Sequence, residues 1–231
     1  VQLFRRALAV KPEFAEAHNN LGTSLKKIGR LDEAVPHYRK AIAINPDLAA
    51  AYNNLGNALK ELGRAEDAIA NYKKALSIES GYSEAHRNLG VTLEALGKLE
   101  DALTNYQKAI TINPSNAEFH GNQGNVFKAM GRLGEAVKSY QDAIFIKPDY
   151  VEVHNNLGNT FKEMGKLDDA ISSYDSALEF NPDFAEAHYN LGLVLGKIGQ
   201  FDNAIDSTQK ALALQPNLVD AIYNLAIWLN A

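Results

Sequence analysis

Seven asparagines recur at intervals of 34 residues: Asn20, Asn54, Asn88, Asn122, Asn156, Asn190 and Asn224. A carboxamide offers two donors and an acceptor side by side. It is therefore able to bond the N–H and the C=O of a polypeptide backbone together, without reading the side chains. Asparagine is a mediocre residue for a helix interior, so its return to one spot asks for a reason. Gripping an extended peptide is one. A bond to a neighbouring repeat, or inheritance of an ancestral residue through duplication, is the other.

Further polar residues share the period. Three positions on from the row stand Asn57, Asn125 and Asn159. Six positions on stand Lys26, Lys60, Lys128 and Lys162, which form either a strip for acidic side chains of a ligand or a complement to a helix C-terminal dipole. Glu16, Glu84, Glu118, Glu152, Glu186 and Asp220 come early in their units, where acids favour a helix N-terminus. His18, His86, His120, His154 and His188 also share one position. Zinc needs its imidazoles at about 2.0 Å, whereas equivalent side chains of stacked repeats lie about 10 Å apart. Packing is the better account of the histidines, and no metal is expected.

No nucleophile, base and acid combination stands out, and no glycine loop follows a strand. We expect no catalytic residue, no enzyme activity and no cofactor. A net charge of −5 disfavours bulk attraction to nucleic acid or anionic lipid. No apolar run nears the ~18 residues that span a bilayer. The absence of cysteine fits a reducing compartment and makes the cytoplasm the expected location. The sequence begins at Val1 rather than Met, which suggests a truncated N-terminus.

The elements that must carry these residues follow from the period. Leu21-Gly22, Leu55-Gly56, Leu89-Gly90, Gln123-Gly124, Leu157-Gly158 and Leu191-Gly192 stay in one register. Full repeats fall at 15–48, 49–82, 83–116, 117–150, 151–184 and 185–218, with half units at 1–14 and 219–231. We expect a single array without a linker. Each unit reads as two helices. The first is closed by Gly29, Gly63, Gly97, Gly131, Gly165 or Gly199, in the left-handed conformation of a helix C-terminus. Asp32, Glu66, Glu100, Asp168 and Asp202 are placed to cap the second helix. That helix stops before proline at 46, 114, 148, 182 or 216. Small residues such as Ala34 and Ala41 allow close approach, and Tyr38, Tyr72, Tyr106, Tyr140 and Tyr174 fill the space left. Three departures are expected to matter: Pro36 inside a second helix, Ser80-Gly81 in place of Pro-Asp, and Thr208 where tyrosine is expected.

The spacing of Leu-Gly, Ala, Tyr, Ala and Pro resembles the tetratricopeptide repeat across essentially the whole chain. The resemblance implies an all-α, right-handed superhelical solenoid of 34-residue antiparallel helix pairs, with the first helices lining the concave surface. The unbroken asparagine row and the motifs Asn54–Asn57, Asn122–Asn125 and Asn156–Asn159 resemble the repeat superhelix of the O-linked N-acetylglucosamine transferases. There the asparagine ladder grips peptide backbones. The glycosyltransferase part is absent, so no activity is implied.

The leading expectation is a non-catalytic protein–protein interaction module that takes an extended peptide or disordered segment. Equivalent side chains about 10 Å apart would meet an extended chain every two to three residues, since two residues span ~7 Å. The carboxylate clamp of some tetratricopeptide proteins is excluded, because the positions that need basic residues are asparagine, acidic or, at Ala50, alanine. Two rival readings stand beside the first. One is a scaffold that self-associates end to end, since Phe4, Ala7 and Leu8 at one end and Leu225, Trp228 and Leu229 at the other lack partners. The other is the substrate-binding arm of a truncated glycosyltransferase.

Overall fold

The computed structural model describes residues 1–229, which hold fourteen α-helices and no strand. By contact density the chain divides into two compact units, Val1–Pro114 and Ser115 onward. The first holds α1 (Gln2–Val10), α2 (Ala15–Lys27), α3 (Leu31–Ile44), α4 (Ala49–Glu61), α5 (Ala65–Ile78), α6 (Ser83–Ala95) and α7 (Leu99–Ile112). The second holds α8 (Ala117–Ala129), α9 (Leu133–Ile146), α10 (Val151–Glu163), α11 (Leu167–Phe180), α12 (Ala185–Lys197), α13 (Phe201–Leu214) and α14 (Val219–Trp228). First helices of the repeats carry even numbers and second helices odd ones. The all-α helix-pair solenoid expected from the period is what each unit contains.

The pairing is set by small residues facing large ones. Tyr38, Tyr72, Tyr106, Tyr140 and Tyr174 are fully buried. Each lies flat against the glycine of its own first helix: a methyl group added at Gly56 would sit 2.6 Å from the Tyr72 ring, and one at Gly90 2.8 Å from Tyr106. Fully buried alanines such as Ala34, Ala68 and Ala102 complete each seam. Alanine costs no side-chain entropy on burial and lets the two helix backbones approach.

Turns between paired helices are short and uniform. Gly29, Gly63, Gly97, Gly131, Gly165 and Gly199 have φ between 72° and 79°. The following amide reaches back five residues, as Arg30 N does to the Leu25 carbonyl at 3.0 Å, which is the Schellman closure. Because the turn is so short, the residue after glycine is itself the N-cap of the next helix: Arg30, Arg64, Lys98, Arg132, Lys166 or Gln200, without a side-chain cap bond. The acids expected to cap therefore stand inside the first turn. They act there on the helix dipole, and the third residue in answers the N-cap arginine, as Asp67 does for Arg64 at 2.8 Å.

Two expected disturbances are absent. α3 runs unbroken through Pro36 over the same length as α5 and α7, so the proline removes one amide donor without ending the helix. At Ser80-Gly81 the turn keeps the usual bond, Tyr82 N to Glu79 O at 3.2 Å, matching Leu48 N to Asn45 O at 3.2 Å. Thr208 does leave a mark. Its hydroxyl lies against Gly192 and is buried without a hydrogen-bond partner.

Within the first unit α2 touches α4 and α4 touches α6, whereas the second helices α3, α5 and α7 do not touch one another. In the second unit α8, α10, α12 and α14 touch in succession, and α9, α11 and α13 stay apart. A two-layer stack with one layer closed and the other splayed must bend toward the closed layer. The first helices therefore line the concave side of each unit, and clefts open between the second helices.

Candidate functional site

The asparagine row runs along the closed layer, and its first partners are within the chain. Asn54 Nδ2 donates to Asn19 Oδ1 at 2.9 Å, Asn88 Nδ2 to Asn53 Oδ1 at 2.9 Å and Asn190 Nδ2 to Asn155 Oδ1 at 3.1 Å. Each bond joins one first helix to the preceding one. Asn224 reaches Tyr189 Oη at 3.1 Å in the same way. Gly121 leaves Asn156 no side chain at the equivalent place. Asn156 Nδ2 donates instead to Asn125 Oδ1 at 3.1 Å. Inter-repeat bonding is thus one use of the row, and the residue just before it, Asn19, Asn53 or Asn155, supplies the acceptor. The signal was present in the sequence as asparagine pairs one repeat apart.

What remains of each carboxamide differs along the row. Asn88 and Asn190 are buried, and their oxygens are taken as well, by Arg87 at 3.0 Å and by Lys162 at 3.4 Å. Asn54 and Asn156 are half-buried, and their Oδ1 atoms accept no bond among the described residues. Asn20 is exposed, and Asn122 is half-buried with its Nδ2 unpartnered.

Asn57, Asn125 and Asn159 each use their oxygen to accept the buried tyrosine hydroxyl of their own repeat, all at 2.8 Å. Their amide nitrogens keep both protons. Burial pushes the Tyr72 hydroxyl up to about 12, so it stays a neutral donor at every ordinary pH. In the third full repeat Val91 cannot accept, and Tyr106 turns to Glu94 at 2.8 Å. Burial raises the Glu94 carboxyl while the tyrosine bond opposes it.

The lysine strip divides in two. Lys26 pairs with Glu61 at 2.6 Å and Lys128 with Glu163 at 3.1 Å, each acid coming from the next first helix. The residues in the acid's place for Lys60 and Lys162 are Ala95 and Lys197, and neither lysine has an ion pair among the described residues. Burial first, then Arg87, holds Lys60 below the usual lysine range, against Glu61. Lys162 is lowered by burial and then by Lys128, against Glu163 and Glu186.

In the second unit these groups meet in a cavity of about 390 Å³ lined by Asn125, Lys128, Ala129, Tyr140, Asn156 and Glu163. The histidines lie elsewhere. His18, His86, His154 and His188 turn Nε2 to the backbone carbonyl six residues earlier, at 2.7–3.2 Å, and so fasten the loop that precedes their helix. No group of three or more potential metal ligands occurs among the described residues. No helix there is long and apolar enough to cross a membrane.

Family models described as tetratricopeptide repeat match residues 13–79, 47–115, 105–138 and 185–218, and one described as TPR repeat matches 124–165 and 158–199. The chain belongs to the tetratricopeptide repeat family. No curated protein matches it in sequence. Among solved structures, the tetratricopeptide array is similar to YrrB, described as a TPR protein with an unusual peptide-binding site: 26% identity, 81% of this chain, 96% of that one, TM-score 0.67. It is also similar to MamA, at 26% identity over 71% of this chain and 96% of that one, with TM-score 0.66. The Cut9–Hcn1 hetero-tetramer of the APC/C matches at 20% identity over 98% of this chain, with TM-score 0.78, and shares the all-α superhelical repeat fold. The present chain spans 45% of that one.

Proposed function

We propose that this tetratricopeptide array is a non-catalytic interaction module that binds an extended peptide along the first-helix face. The observation that carries this reading is the leftover bonding capacity in the second unit's cavity. There Asn156 keeps a free acceptor and Asn125 keeps free donors, the two halves of what one peptide group requires. Asn54 repeats the free acceptor in the first unit. Lys60 in the first unit and Lys162 in the second are half-buried cations without a carboxylate, and each favours an acidic side chain in the ligand. The peptide-binding site of YrrB supports a peptide as the class of ligand.

The test is a double variant, Asn54→Ala with Asn156→Ala, measured against a pool of disordered peptides by fluorescence anisotropy. Each substitution breaks one inter-repeat bond and should cost about 1 kcal/mol of stability. Circular dichroism at the assay temperature fixes that the helices remain. Binding is expected to fall by about tenfold or more, the equivalent of ~1.4 kcal/mol. A folded variant that melts lower yet binds as well as the parent would make the row purely architectural and end the reading.

A further inference from the structure

The clefts between the splayed second helices are a separate feature from the asparagine row. In the first unit one such cleft encloses about 660 Å³ between α5 and α7, with α6 as its floor. Leu76, Leu89 and Ile112 supply apolar lining, and His86 and Asn105 close the base through a bond of 3.0 Å. The volume lies within the ~300–1,000 Å³ usual for ligand sites. The second unit has the repeat-equivalent cleft, about 540 Å³, between α9 and α11 over α10.

The two clefts differ in charge. Lys73 on α5 and Lys108 on α7 stand at the rim of the first, and neither has an ion-pair partner among the described residues. Some surface lysines find one, as Lys40 does with Glu13 at 2.8 Å and Lys210 with Asp206 at 2.7 Å, whereas Lys73 and Lys108 share their free charge with others such as Lys74 and Lys98. The residues at the matching places of the second cleft are Gln141 and Ser176, and Asp169 joins that lining. Of these two clefts, the first is the one with two cations over an apolar base.

We infer that the cleft between α5 and α7 is a second docking site, for an acidic peptide segment that inserts one large apolar side chain between Lys73 and Lys108. The apolar base gains by covering Leu76 and Ile112, which are incompletely buried. The two ammonium groups select carboxylates flanking the inserted side chain and exclude basic segments. The site is on the opposite face from the asparagine row and does not depend on peptide binding there.

The probe is a fluorescein-labelled peptide of Asp and Glu around a single Leu, titrated into the full chain by anisotropy. Comparison peptides carry Ala for the Leu, or Asn and Gln for the acids. The acidic Leu peptide should bind, and both comparison peptides should bind about tenfold more weakly. Lys73→Glu with Lys108→Glu should weaken the acidic peptide by about tenfold or more and remove its salt dependence. Both lysines are exposed, so the fold should survive, with Lys73→Ala and Lys108→Ala as milder variants. In the Asn54→Ala, Asn156→Ala background, the acidic Leu peptide should still bind, and Lys73→Glu with Lys108→Glu should still remove that binding. Absent binding, binding indifferent to the charge reversal, or binding lost in the asparagine variant would each overturn the proposal.

Discussion

At the scale of single residues, the polar side chains of this protein are mostly spoken for, and function has to be read from what is left over. Asn156 spends its amide on Asn125, which in turn spends its oxygen on Tyr140 and Asn156. The unspent atoms are the ones available to a ligand. The same reasoning applies to a pair of histidines. His18 Nδ1 and His37 Nδ1 meet at 3.0 Å, with their rings stacked. One ring must donate and the other accept, so adding a proton to both breaks the bond. Burial first, then His18 and Arg5, holds His37 below the usual histidine range, while Glu33 acts in the opposite sense. A base whose folded pKa is depressed takes its proton in the unfolded chain first. Stability therefore falls as pH drops through about 6.5 and below. The urea midpoint of the parent should decline more between about pH 7.5 and 5.5 than that of His37→Gln. Equal declines would show that the histidine pair does not contribute.

At the scale of the element, the helix pair is governed by the glycine that faces each tyrosine. A methyl group at Gly158 would lie 2.6 Å from the ring of Tyr174, which is fully buried and has nowhere to go. Gly158→Ala should cost about 1–3 kcal/mol through overpacking. Gly134 is the control, since nothing lies within 4 Å of a methyl group placed there and it sits early in α9. Gly134→Ala should be neutral or stabilise by roughly 0.5–1 kcal/mol. Denaturant unfolding of both variants checks the pair, and similar outcomes for the two would refute the packing account. In the last full repeat Thr208 faces Gly192, and Trp228 packs against Gly196 and joins the cluster of Leu191, Val194 and Leu195.

At the scale of the whole molecule, stability is expected to be local. Repeats contact their neighbours, so a solenoid's stability is close to a sum over repeats and their interfaces. Each unit has hydrophobic clusters built from its own residues, Ala49, Ala75 and Ala85 in the first and Tyr140, Val153 and Leu157 in the second. Fragments 1–114 and 115–231 should each fold when expressed alone, with helical circular dichroism and a cooperative thermal transition. A fragment without a cooperative transition would show that its repeats cannot sustain a core. The splay of the second helices, a consequence of the same stacking, is also what opens the cleft between α5 and α7.

The period alone determined the helix pairs, the six left-handed glycines and the glycine–tyrosine seam, because each depends on residues within one repeat and recurs with it. It also singled out Asn125, Lys128 and Asn156, which line the second unit's cavity beside two residues that it passed over, Ala129 and Glu163. The sequence did not decide which donors and acceptors were already used. Asn19, Asn53 and Asn155 lie a full repeat away from the asparagines they hold, and whether Asn156 turns to Asn125 depends on the missing side chain of Gly121. The capping acids stand two positions past the N-cap for a related reason, since only the closed geometry makes the residue after glycine serve two helices at once. Division of the lysines into paired and unpaired members likewise waits on which helix neighbours which. A side chain's type is local, but the bonds it has left are a property of its surroundings.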